Sequence, residues 1–112
     1  MAFAQFDDNF ADHPKVAGLT DPAFRLHVAG ILYCGRHLTD GLIAADEVPR
    51  LVRNYRRPAL AELVDRALWI TVLDGAYSIH DYLDWNESRE KVLKRREAEA
   101  ARKRKWRETH GR

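Results

Sequence analysis

Cysteine is nearly missing: Cys34 is the only one in 112 residues. No disulfide can form within the chain, and a zinc site built on several thiolates is excluded. Long apolar runs are missing too. No stretch reaches the ~18 residues that mark a bilayer span, so no membrane partner is expected. The opening MAFAQFDDNF has neither the basic start nor the apolar core of a secretory leader. With no leader and no cysteine framework, a reducing cytoplasm is the expected compartment. A glycine-rich phosphate loop and an HExxH pair are also lacking.

What remains of conventional chemistry is thin. The histidines are His13, His27, His37, His80 and His110. His80-Asp81 is a lone pair, and a metal phosphohydrolase needs more ligands. Cys34 and His37 stand three apart on one predicted helix, a spacing that could mimic nucleophile and base. A cysteine in a core helix is far more often a small buried apolar residue. Asp7, Asp8 and Asp12 fit capping and turn roles better than a cation site. These readings predict no enzyme, no metal and no cofactor.

Hydrophobic residues make up 46% of the chain, enough for one modest core in one domain. The formal charge of +2 hides an asymmetry. Residues 1–85 carry eight Lys/Arg against twelve Asp/Glu, a net of −4. Residues 86–112 carry eleven against five, a net of +6. The expected organisation is a mildly acidic body over 1–85, including an N-terminal arm, and a basic C-terminal helix over 86–112. Such a tail suits an anionic partner.

In chain order, Phe3, Phe6 and Phe10 read as aromatic anchors of an extended arm, with at most one short strand. Asp12 or His13 can cap a helical turn that Pro14 begins and Gly18 ends. Asp21-Pro22 opens the strongest helix, running to about His37. Its large apolar residues Phe24, Leu26, Val28, Ile31, Leu32 and Tyr33 cover more than one face, which predicts a central, largely buried helix. Gly30 and Gly35 permit close packing of a neighbour. Leu42-Ile43 reads as a short strand. Asp46 can cap a helix from Glu47 to about Asn54, with Pro49 tolerated in its first turn. Pro58 starts a second helix reaching Leu68. Leu60, Leu63, Val64, Ala67 and Leu68 should face inward, leaving Ala61, Glu62, Asp65 and Arg66 outside. Residues 70–72 and 77–79 form a hairpin around Asp74-Gly75. Tyr82, Leu83 and Trp85 return the chain to the body. Asn86 can cap the last helix, where Glu87 with Lys91, Glu90 with Lys94 and Glu99 with Lys103 stand four apart.

The fold class so predicted is α+β, mainly α with a small β-hairpin. Its plan is a winged helix-turn-helix with a long basic C-terminal helix. The strings FDDNFADHPKVAGL (6–19), AFRLHVAGILYCGRHLTDGLI (23–43) and ALWITVLDGAYSIHDYLDWNESREKV (67–92) resemble the amino-terminal winged-helix domain of actinobacteriophage and prophage replication-initiation proteins. Those are distantly similar to DnaD-type replisome organisers. The resemblance covers about residues 6–93, and DHPKV, TDGLI and IHDYLDWNESRE carry most of it. It implies binding of origin DNA, with a host replisome or helicase-loading protein as further partner. Family members often have Gly before Leu-Trp, where this chain has Ala67. They also usually continue into a second region, whereas this chain stops at Arg112, which turns the expectation toward a stand-alone regulator or accessory protein.

The function expected is double-stranded DNA binding in replication initiation or transcriptional regulation. Arg53, Arg56 and Arg57 bracket the start of the helix that would enter the major groove, where cations meet phosphates and can read guanine edges. Arg66 adds a cation on that helix. Arg102, Lys103, Arg104, Lys105 and Arg107, with Trp106 among them, would form a phosphate-tracking arm. A protein-interaction adaptor using the same surface is the alternative, favoured by Glu62 and Asp65 on that face. A second copy of the chain is a further candidate partner.

Overall fold

The computed structural model of the protein describes residues 4–73 and 75–110. Phe3, the Asp74 half of the expected turn and the Trp85 side chain lie outside the described residues. The chain is mainly helical with one small antiparallel sheet. Its elements are α1 (Pro14–Ala17), α2 (Asp21–His37), β1 (Leu42–Ala44), α3 (Arg57–Asp65), β2 (Trp69–Val72), β3 (Ala76–Ile79), α4 (Tyr82–Trp85) and α5 (Arg89–His110), with 3-10 turns at Phe10–Asp12 and Val48–Arg50. The strand order is β1-β3-β2, so the short strand before the hairpin pairs with its second arm.

α2 organises the body. Its start is capped by Thr20, whose hydroxyl accepts from the Ala23 amide at 3.4 Å, one residue before the expected Asp21. Its buried stripe is Ala23, Leu26, His27, Gly30, Ile31 and Cys34, spaced three and four apart. Ala23, His27, Gly30 and Cys34 share the inner face with Leu26 and Ile31, while Phe24, Val28 and Tyr33 are half-buried and Leu32 is exposed. Space explains the choice. Trp69 is fully buried against this stripe, and a Cβ on Gly30 would lie 2.5 Å from its ring. Its indole N–H donates to His27 Nδ1 at 2.9 Å. α2 also packs on α3 and β1. Leu26, Ile43, Val48, Leu63 and Trp69 are sealed from solvent at the centre.

Several expectations are corrected. The helix expected over 47–54 is only the 3-10 turn Val48–Arg50. Its amides reach back three residues, Arg50 to Glu47 and Leu51 to Val48, and no side chain caps it. α3 starts one residue before Pro58 and stops at Asp65, not Leu68. The Leu68 amide bonds Leu63 O and the Ala67 amide bonds Val64 O, which is the Schellman stop. Ala67 fills its left-handed position at φ 59 and is exposed, not inward-facing. Leu68 and Trp69 then turn into the core. The N-terminal arm contains no strand among the described residues. Phe10 instead stacks on His27 with centroids 5.7 Å apart, and Phe6 meets Phe10 edge-on at 5.0 Å.

α5 is capped by Ser88, which accepts from the Lys91 amide at 3.2 Å, while Asp40 accepts from the Arg89 amide at 2.6 Å. The expected cap, Asn86, serves the arm instead and accepts from the Gln5 amide at 2.8 Å. Glu90 pairs with Lys94 as expected, but Glu87 pairs with Arg95 and not Lys91. Glu99 and Lys103 form no ion pair in the structure. Past Val92 every described residue of α5 is exposed, and the molecule is 59 Å long against 32 and 24 Å across.

Three stability outcomes follow from these packing details. Gly30→Ala should cost about 1–3 kcal/mol in urea unfolding, because Trp69 cannot retreat from the added methyl. Ala67→Gly should instead raise stability by about 1 kcal/mol by relieving the left-handed backbone. Burial pushes the His27 imidazole down to about 4 from 6.5. Below about pH 6.5 the unfolded chain then binds a proton that the folded state refuses, so stability falls as pH drops, until about pH 4. Between about pH 7 and pH 5 the loss should be roughly 2 kcal/mol. His27→Gln should flatten that slope.

Candidate nucleic-acid interface

The outer flank of α3 is set by its inner one. Ala59 and Leu63 are buried, and Leu60 and Val64 are half-buried against the core. That leaves Arg57, Pro58, Ala61 and Asp65 exposed along one side. Arg56 is the residue that precedes α3, extended at φ −130, and Arg57 is its first helical residue. Arg53 lies exposed in the turn leading to them. The structure thus gathers Arg53, Arg56 and Arg57 at the helix start, where the free backbone amides add their own partial positive charge. None of the three makes an ion pair with the described residues. Arg50, unnoticed in the sequence, is exposed beside them, with only a loose 3.8 Å contact to Glu47. Its position three residues before Arg53 was the available signal.

Arg66 is not part of this cluster. It follows the last residue of α3, about 13 Å of helix from Arg57. Its guanidinium lies over Gly18, where an added Cβ would approach within 2.7 Å.

Glu62 is likewise misplaced by the sequence reading. Its carboxylate turns into the body, accepting from the Thr20 amide at 2.8 Å and the Thr20 hydroxyl at 2.9 Å. Thr20 in turn caps α2, so Glu62 fixes how α3 sits on α2. Asp65 is then the only acid left on the exposed flank of α3.

The hairpin carries no lysine or arginine between Trp69 and Ile79. Leu42, Ser78 and Ile70 are aligned across the three strands, as are Ala44, Ala76 and Val72. Alternation puts these six on the face opposite Trp69 and Ile43. Leu42 and Ile70 are exposed there, and Leu73 at the hairpin tip is 90% exposed.

Arg102, Lys103, Arg104, Lys105 and Arg107 are all exposed on the last turns of α5. Trp106 is 61% exposed and stacks on His110 of its own helix at 4.9 Å.

Conventional reactive groups are not assembled here. Cys34 is fully buried, its thiol donates to Leu42 O at 3.8 Å, and burial pushes its pKa up. His37 packs on Tyr33, away from any pairing with that thiol. His80 and Asp81 meet at 3.2 Å, but among the described residues no group of three His, Cys, Asp or Glu side chains could hold a metal. Asp7 accepts from the Asn9 amide at 3.3 Å, a turn role. No described helix is long and apolar enough to cross a membrane.

No family model matches the chain, and no curated protein or solved structure is significantly similar to it.

Glu62→Ala separates its structural role from a binding role. Losing the Thr20 contacts should cost about 1 kcal/mol of stability. Duplex affinity of the folded variant, read by anisotropy, should stay within about twofold of the parent, or rise.

Proposed function

We propose that the chain is a winged-helix protein that binds double-stranded DNA. Supporting the fold is the order helix, strand, turn, helix, hairpin, with sheet order β1-β3-β2. The observation that carries the function is the cluster of Arg53, Arg56 and Arg57, exposed and without ion pairs at the start of α3. In this reading α3 enters the major groove through its Arg57–Ala61–Asp65 flank. The arginines hold phosphates or guanine edges at its start. With Glu62 turned inward, one of the two acids that would repel the backbone is removed. The hairpin lies along the duplex by placement and not by charge. The tail cations Arg102 to Lys105 and Arg107 add contacts that carry no sequence information. The resemblance of residues 6–19, 23–43 and 67–92 to phage and prophage replication-initiation proteins supports the same reading, origin or regulatory DNA.

One observation favours a second reading, a protein-interaction adaptor for a host replication or transcription component. The outward sheet face is apolar through Leu42, Ile70, Val72 and the tip Leu73, of which Leu42, Ile70 and Leu73 are exposed. Apolar surface of that kind suits a protein partner better than phosphate.

Salt separates the two. Duplex affinity should fall steeply with salt, with a logarithmic slope of about −0.9 per phosphate neutralised. Arg56→Glu with Arg57→Glu should lower affinity at least ~100-fold, and removal of residues 95–112 should make the slope shallower. An unchanged affinity in the double variant rules out α3 as the groove helix. An unchanged slope on truncation removes the tail from the interface. Under the adaptor reading, Ile70→Asp with Leu73→Asp abolishes partner binding and leaves duplex affinity alone.

A further inference from the structure

A cavity of about 420 Å³ lies between the N-terminal arm and the body, away from the α3 flank. That volume falls in the range of small-molecule sites. Its floor is apolar: Val16, Ile31, Leu68, Ile79 and Tyr82. Phe6 and Phe10 of the arm form an aromatic wall. One buried polar side chain, His27, interrupts the floor and is only 4% exposed.

The state of that histidine is fixed by its neighbour. Trp69 can only donate, so His27 Nδ1 is an acceptor. The imidazole is neutral at ordinary pH, so Nε2 carries the hydrogen and must donate. Among the described residues Nε2 has no hydrogen-bond partner. Nδ1 is turned to Trp69, and His27 is among the residues that line the cavity. Nε2–H therefore opens onto the cavity that His27 lines. A donor that meets no acceptor among the described residues is the point where an occupant would be read.

The rim sets the charge of that occupant. Asp7, Asp12 and Asp81 surround the opening, against Lys15. His80 is held by Asp81. Anions are disfavoured there. The aromatic wall favours a flat ring, since Phe10 already stacks near-parallel on His27, at 19°.

We infer that this cavity binds a small, planar, uncharged heteroaromatic molecule whose ring acceptor takes the His27 Nε2–H. The site is independent of the DNA reading, and its test contains no DNA. Quinoline is the probe, titrated into the ¹⁵N-labelled full chain at about pH 7.5, where it is neutral. Indole, a donor of similar size with no ring acceptor, and quinoline-2-carboxylate, the anionic version, serve as comparisons. Quinoline should shift the His27 ring nitrogen, the Trp69 indole signal and the amides of Phe10, Val16 and Ile79. It should bind at least tenfold more tightly than either comparison. His27→Phe, which keeps a ring and removes the donor, should erase the preference over indole. Should that variant not fold, the quinoline–indole comparison in the parent protein decides. No saturable shift up to about 5 mM quinoline, equal binding of indole, or shifts confined to other surfaces overturns the inference.

Discussion

The body is built around one side chain meeting one gap. Trp69 leaves the end of α3, crosses the core and lies on Gly30 of α2, where no other residue would leave room for its ring. Its indole N–H could not be buried unpaired without a penalty of about 1–3 kcal/mol, and His27, on the same stripe one turn earlier, accepts it. The sheet is thereby held to α2, while Glu62 on Thr20 and the packing of α3 on α2 hold the helix that carries the exposed arginines. Truncating the ring would be expected to cost about 3–5 kcal/mol. The partnership also explains why a histidine sits in a core, neutral and with its acid form suppressed.

The sequence made the element order legible and the bonding between elements much less so. Pro22, Gly18, Gly75 and the period of Leu60, Leu63 and Val64 are local signals, and each marked its element. Gly30 was readable as a place of close approach, though nothing local said that Trp69 would fill it. The failures are long-range. Glu62 looked like a solvent-facing acid because helical spacing places it outside, yet Thr20, 42 residues earlier, draws it in. Asp40 stabilises the start of α5 from 49 residues away. The 3-10 turn at Val48–Arg50 reads as a helix in sequence because Val48, Leu51 and Val52 keep the apolar spacing, yet the amides of Arg50 and Leu51 bond only three residues back. Of the proposed contact residues, Arg53, Arg56 and Arg57 cluster because they are neighbours in sequence. Arg66 separates from them because it stands at the other end of α3, about 13 Å away along the helix.

Charge and apolar surface are segregated in a way that composition conceals. Three exposed cations of the body without ion pairs among the described residues, Arg53, Arg56 and Arg57, sit together at the start of α3. The hairpin has none, and its outer face is nearly all aliphatic. The same small fold thus offers two surfaces of unlike chemistry, one suited to phosphate and one to protein. The inward turn of Glu62 sharpens this division by clearing an acid from the arginine side.

α5 introduces a different physical consequence. Its first turn is tied down by Ser88, Asp40 and buried Val92, but the remaining turns rest only on their own backbone and on pairs such as Glu90 with Lys94. A solvated helix of that length is marginal in water. The rod should therefore unwind on gentle warming while the body stays folded, in a gradual transition visible to circular dichroism. Its heat-capacity change should be small, since almost no apolar surface becomes newly wetted.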